Sequence, residues 1–373
     1  MSVKPLHTRP LLIGLALCLP GLGLAAQTQP IWSAPLSEAV RQMPDYRELS
    51  CPDRPIAPYT GPLQLESKYV QTDVTKSTQR QVSRTTTEVR KQINDYLREV
   101  VRYGERAGRA ETPDQAARAL ACLDQWLSAW AEAGALETSD VSKTGIAARK
   151  WALAAISSLL MKTQAQTGNR FELRPEQRQW LDRLARIVIA EYEPRRRSNF
   201  RYFNNHDYWA AWAVTSTGLV LDDRDKVDWG TQYVREALDR LTRARNGDYA
   251  YHRIEVERGK LGAEYTHYAL VPISLLVEAA YANGRPLSAE QEQSYRALAT
   301  FAARAVLEPR GLPELKGSQS KVPPHKMIWL LPFLSRFPDH DWARRLYASV
   351  RGEVDNYSQI GGRLGAFYPN LTQ

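Results

Sequence analysis

The chain has 373 residues, 43% of them hydrophobic, with 50 Lys and Arg against 41 Asp and Glu, a formal charge of +9. That length allows one large domain or two ordinary ones, and the hydrophobic share suffices for a full core, which sets intrinsic disorder aside. Beyond a short run near the start, no stretch is apolar for long enough to cross a bilayer as a helix.

The first 26 residues read as a secretory signal. Lys4 and Arg9 precede LLIGLALCLPGLGLAA, an apolar run closed by small residues, with cleavage expected after Ala25 or Ala26. Cys18 raises a lipoprotein reading, which the bulky Leu17 before it disfavours. The expected mature chain of about 347 residues is periplasmic or secreted and not inserted in a membrane. Lys4 and Arg9 are the only charges in that leader, so removing it lowers the net charge by two, to +7. An exported protein with this balance points to an acidic partner: nucleic acid, a cell surface or an anionic polysaccharide. Ten tryptophans and eighteen tyrosines favour the sugar, because aromatic faces stack on pyranose rings while cations hold carboxylates. The expected partner is therefore an anionic polysaccharide rather than nucleic acid, bound by a monomer.

Residues 27–63, with the proline-rich CPDRPIAPYTGPL, read as an irregular N-terminal arm. Two cysteines survive processing, Cys51 and Cys122. In an oxidising compartment they would form a disulfide pinning the arm to a helix; two free buried thiols are the alternative. Residues 64–85 are polar and rich in Ser and Thr, either a lid loop over a cleft or the frayed start of the next helix. From about residue 86 the helical period takes over. Val89, Ile93, Tyr96, Leu97 and Val100 recur at three- and four-residue steps. After Thr112-Pro113, a good helix start, Ala116, Leu120, Leu123, Leu127 and Trp130 continue the pattern. Further helices are expected over 145–163, 176–192, 207–221, 226–244, 265–283, 288–307 and 324–350, with breaks at Gly134, Pro194, Gly247, Gly284-Pro286, Pro309-Gly311 and Pro338. Convincing strand alternation is absent. About ten helices joined by short links predict an all-α fold, an incomplete α/α barrel of antiparallel helix pairs. Residues 64–373 would form its single domain, with a cleft where the inner helices converge.

Three polar clusters stand out. Asn204-Asn205-His206-Asp207-Tyr208-Trp209 gathers amides, an imidazole, a phenol and an indole at a helix start. Capping by Asn205 or Asp207, with His206 incidental, is the structural alternative. Tyr265-Thr266-His267-Tyr268 follows Arg253, Arg258 and Lys260, and its two tyrosines share a helical face. Both could equally be core residues with bonded hydroxyls. Ser67-Lys68-Tyr69 lies in the polar loop, where a lysine is ordinarily just solvated. Zinc spacing, a phosphate-cradling glycine turn and a G-x-S-x-G elbow are all missing, so no metal or cofactor is expected. A glycoside hydrolase would need two carboxylates across a cleft. Asp207, Asp222 and Asp223 are available for that, and nothing singles them out.

In these blocks the chain resembles the alginate lyases of polysaccharide lyase family 5. The family's N-N-H-x-Y-W-A-A-W stands here as Asn204 to Trp212, its S-K-Y as Ser67 to Tyr69, and its Y-x-x-Y-A-L as Tyr265 to Leu270. Residues 119–136, Thr144 to Leu153 and Trp329 to Phe333 extend the similarity. The resemblance implies an α/α barrel that cleaves 4-linked uronate polymers such as polymannuronate by β-elimination. It implies that Asn205, His206 and Arg258 neutralise the sugar carboxylate and that Tyr265 protonates the leaving O4, with Tyr265 or His206 as the C5 base. Lys68, Tyr69, Arg149, Tyr208, Trp209 and His267 would bind neighbouring sugars. The chain also departs from the family's pattern: EVERGKLGAEY is poorer in arginine, Asp207 replaces a serine, and the charged stretch near residue 315 is not well reproduced. These changes touch subsite charge and add polyglucuronate or hyaluronan-like chains to the candidate substrates. A non-catalytic polysaccharide-binding barrel and a hydrolase on a related barrel are the other readings.

Overall fold

The computed structural model describes residues 27–196, 200–245 and 247–372. The leader read at residues 1–26 lies outside them. Eight long helices carry the fold: α1 (Arg84–Gly108), α2 (Pro113–Glu132), α3 (Lys143–Thr167), α4 (Pro175–Tyr192), α5 (Asn205–Leu221), α6 (Arg224–Asp239), α7 (Gly262–Ala282) and α8 (Ala289–Leu307). Their starts are set by local chemistry. Ser83, Thr112, Ser142, Asp223 and Ser288 each accept a hydrogen bond from the first turn, and prolines open α2 and α4.

The helices alternate between two layers. α1, α3, α5 and α7 pack one against the next as an inner ring, and α2, α4 and α6 lie outside, packed against those members. Sequence explains the layering. α5 runs AAWAVTSTGLVL and α7 runs YALVPISLLVEAAY, with no polar stripe, so both are enclosed on nearly every side. α6 keeps one apolar face and meets α5 closely at Gly230, where a Cβ would sit 1.7 Å from Thr215 Oγ1. The C-terminal chain then runs back across the ring. The turn Pro324–Met327 packs on α7, the strand Asn356–Tyr357 packs on that turn, and the turn Ser358–Ile360 packs on α3 and α1. The result is the expected all-α, incomplete α/α barrel.

Two expectations are corrected. The stretch 324–350 is not one helix but the Pro324–Met327 turn, α9 (Leu330–Arg336) and α10 (Asp341–Val350), because prolines at 323, 324, 332 and 338 repeatedly remove backbone donors. The helix read over 226–244 stops at Asp239, and Thr242–Arg243 turns back to pair with Ala250–Tyr251.

The N-terminal arm is irregular but firmly held. Cys51 and Cys122 form a disulfide that ties it to α2. Trp130 donates its indole N–H to Ile56 O at 2.8 Å, and Leu136 N donates to Tyr59 O at 2.9 Å. The cross-link closes a segment of sequence separation 71. Replacing both cysteines with serine should cost about 2–4 kcal/mol, mostly by freeing the unfolded chain. Denaturant unfolding of the two proteins measures it.

Candidate active site

The mouth of the inner ring is a cavity of about 550 Å³ lined from α1, α3, α5, α7, the 67–76 loop and the C-terminal chain. Its floor is the first turn of α5. Asn204 is the N-cap: its side-chain oxygen accepts from His206 N at 2.9 Å, and its own N–H donates to Asp207 Oδ2 at 2.9 Å. This reciprocal capping box satisfies the helix start without Asn205 or the imidazole of His206. Asp207 is fully occupied, since it also pairs with Arg195. The cap is Asn204 with Asp207, not Asn205 as the capping alternative had it, and the two side chains between them line the cavity.

Asn205 is oriented by Glu255, which sits on the short helix Arg253–Val256. Glu255 accepts the Asn205 backbone N–H at 2.7 Å and the side-chain Nδ2 at 3.0 Å to each oxygen. Burial pushes the Glu255 carboxyl up, and the hydrogen bonds from Asn205 pull against it. Asn205 Oδ1 is buried without a partner. His206 turns Nδ1 toward Lys150 Nζ, 2.7 Å away on α3, and its ring lies 5.7 Å from that of Trp151. Burial, followed by the charges of Lys150, Arg195 and Arg258, drives the imidazole well below its ordinary range, so it is neutral.

Tyr265 enters from the first turn of α7. Its hydroxyl donates to Tyr69 Oη at 3.0 Å, which joins the helix to the 67–76 loop. The Arg258 guanidinium lies 4.1 Å above the Tyr265 ring. Burial raises the phenol, with the Arg258 charge opposing, so the proton stays on at neutral pH. Asn205, His206, Arg258 and Tyr265, far apart in sequence, all line this one cavity, together with Lys68 and Tyr69.

The walls are strongly cationic. Lys68, Lys76, Arg90, Lys143, Arg258 and Lys326 line the cavity, against one carboxylate, Glu264, which is already paired with Lys326. The 64–85 segment is a loop rather than a frayed helix. Asp73 accepts the backbone N–H groups of Thr75 at 2.9 Å, Ser77 at 2.9 Å and Thr78 at 2.8 Å, and Tyr69 bridges to Gln79, folding the loop back on itself beside the cavity.

Four expected sugar contacts do not reach the cavity. Arg149 is buried on the other side of α3, giving its guanidinium to Leu136 O at 2.8 Å, to Thr138 O and to Glu191, and so serves packing. His267 is wholly enclosed, with Nε2 on Ala302 O at 2.9 Å and Nδ1 accepting from Trp329 at 3.0 Å. Tyr208 faces His252, 3.3 Å from its Nδ1. Trp209 stands behind the wall, with its ring 5.2 Å from Tyr268 and 6.1 Å from Tyr357, which do line the cavity. Sequence reasoning missed Lys150, Trp151, Glu255, Arg90 and Lys326. Helical phase held a signal for Trp151, which falls on the same face of α3 as Ala147, Ala148 and Ala152.

The arrangement does not suit hydrolysis by a carboxylate pair. Asp207 is tied to Arg195, while Asp222 and Asp223 sit at the junction of α5 and α6 as C-cap and N-cap. No group of three His, Cys, Asp or Glu among the described residues is placed to hold a metal.

The chain is similar to known proteins over most of its length. The family model described as Alginate lyase matches residues 64–312. An alginate lyase of Pseudomonas aeruginosa is 30% identical over 327 residues, 84% of each chain. One from Pseudomonas fluorescens is 28% identical over 343 residues, 88% of this chain and 87% of its own. Among solved structures, alginate lyase A1-III from Sphingomonas species A1 superposes with a TM-score of 0.65 at 19% identity, covering 90% of this chain and 91% of that one. A variant of it complexed with a tetrasaccharide gives 0.66 at 18% identity, again over 90% and 91%. At such identity these structures speak for the shared fold.

Proposed function

Because the chain belongs to the alginate lyase family and is a polysaccharide lyase, we propose that it cleaves 4-linked polyuronates, mannuronate-rich alginate first, by β-elimination to 4,5-unsaturated ends. The observation that carries this reading is the meeting of Asn205, His206, Arg258 and Tyr265 in one cation-lined cavity. A C5 proton beside a carboxylate is a very weak acid until the carboxylate's charge is neutralised. Arg258 supplies a full positive charge and the neutral His206 a polar contact, with Asn205 held beside them by Glu255, so the enolate-like charge develops against preorganised groups. Tyr265 holds its proton at rest, the form needed to protonate the departing O4. For the same phenol to take the C5 proton, its own must first leave: Tyr69 Oη, 3.0 Å away, takes it while releasing the Tyr69 proton to solvent, and Tyr265 then carries the C5 proton to O4. One residue can serve both steps when the C5 proton and O4 share a face of the ring, as in mannuronate.

Lys68, Lys76, Arg90 and Lys143 would hold carboxylates of flanking sugars, and the bonded-back 67–76 loop would act as the lid. The same cations would accept polyglucuronate or hyaluronan-like chains as well. The leader-like residues 1–26 support export to the periplasm, which fractionation of cells making the full chain tests. Incubation of the purified protein with polymannuronate tests the chemistry. Growth of ultraviolet absorbance from a C4–C5 double bond is expected; new reducing ends without it would mean hydrolysis and overturn the reading. Binding should weaken as salt rises from 0.05 to about 0.5 M, because screening acts on every one of these contacts. Titration of oligomannuronate at several ionic strengths checks that, and a flat response would mean stacking alone holds the polymer.

A further inference from the structure

The lysine behind His206 has no part in the reaction described so far. Lys150 is completely buried on α3 and does not line the cavity. Its ammonium nitrogen lies 2.7 Å from His206 Nδ1 and 2.9 Å from Tyr192 Oη, over the rings of Trp151 at 4.9 Å and Tyr192 at 5.0 Å. We propose that Lys150 is a positioning residue that fixes the proton of His206 on Nε2, so that the imidazole meets the sugar as a hydrogen-bond donor and cannot act as the C5 base.

Both protonation states of Lys150 lead to the same tautomer. A charged ammonium has no lone pair, so Nδ1 must accept from it and the ring's single proton sits on Nε2. A neutral amine has one lone pair and two neighbours able to fill it. The phenol of Tyr192 is a better donor than an imidazole N–H and takes that lone pair, which leaves an amine N–H for Nδ1. With Nδ1 turned into the protein, the Nε2 edge of the ring is the one left to the cavity that His206 lines. Its N–H supports the carboxylate, and it has no free lone pair to take a proton from C5. Proton abstraction is thereby confined to the Tyr265–Tyr69 phenol pair, and the lyase to uronates whose C5 proton and O4 lie on one face.

The inference rests on the lyase reading for its consequence but not for its test. Long-range proton–nitrogen correlation spectra of the full chain labelled with 15N-histidine report the tautomer with no substrate present, the His206 signals being assigned by their loss in His206→Gln. The expected spectrum shows a protonated Nε2 and a bare Nδ1 for His206. A proton on Nδ1, or averaged shifts for the two nitrogens, overturns the proposal whether or not the protein is a lyase. In Lys150→Met the two nitrogens are expected to average, and kcat to fall about tenfold with KM little changed, the scale of losing an orienting outer partner. Unchanged His206 shifts in that variant, in folded protein, would equally overturn it. Absence of any unsaturated product from the parent enzyme would instead fail the lyase reading and leave the tautomer result standing.

Discussion

Tyr265→Phe is expected to lower kcat on polymannuronate by about 10²–10⁴-fold while leaving oligosaccharide binding nearly intact. The substitution deletes one hydroxyl, whose partner is Tyr69 Oη at 3.0 Å. The ring itself keeps its place beneath the Arg258 guanidinium at 4.1 Å and edge-on to Tyr268 at 6.2 Å, so the cavity keeps its shape. Because burial holds the proton on the phenol at neutral pH, the hydroxyl is the natural donor to O4, and no other group so placed replaces it. Single-turnover cleavage and equilibrium titration of an oligomannuronate separate the two effects. A variant with raised KM and parental kcat would make Tyr265 a sugar contact and nothing more.

Arg258→Ala is expected to reduce kcat/KM by about 10²–10³-fold, the scale of removing one preorganised donor from a developing anion. Arg258 lies beside the reacting phenol, and its Nε is buried without a protein partner, so its hydrogen-bonding capacity is not consumed within the fold. Its loss removes the charge nearest the proposed carboxylate and also the charge that opposes the upward push on Tyr265. Both effects slow the same step. Steady-state kinetics at fixed ionic strength measures the sum, and a loss confined to KM would reduce Arg258 to a general polyanion contact.

The parts of the site carried by contiguous motifs were legible in the sequence, and the parts made by helical phase were not. Asn205 and His206 stand out because capping needs one polar residue and the Asn204 to Trp209 block holds several, although the cap itself is Asn204 rather than Asn205. Tyr265 stands out because it shares a helical face with Tyr268 just after a run of charge. Arg149 was assigned to the substrate from the resemblance, as part of the Thr144 to Leu153 block, which also holds the cavity residue Trp151. At about 100° per residue, the two steps to Trp151 turn it most of the way to the opposite face of α3. His267 misses for the same reason, two residues along α7 from Tyr265. Trp209 has the right face, one turn beyond Asn205, but lies a layer deeper, behind Tyr268 and Tyr357. Glu255 and Lys150 were invisible because their roles depend on long-range hydrogen bonds that no local spacing encodes. The barrel itself was readable from helix number and period. The broken 324–350 stretch shows the limit: its apolar period continues across Pro332 and Pro338 while the backbone cannot.

Neutralisation of the sugar carboxylate can be taken away from the enzyme and supplied by the substrate. Methyl-esterified oligomannuronate carries no charge at that group before reaction, although its enolate still develops one and Tyr265 still loses its charged neighbour. The penalty of Arg258→Ala should therefore be clearly smaller on the ester than the about 10²–10³-fold on the free acid, without vanishing. An equal penalty on both substrates would show that Arg258 acts elsewhere than on the carboxylate, and would contradict the mechanism at its centre.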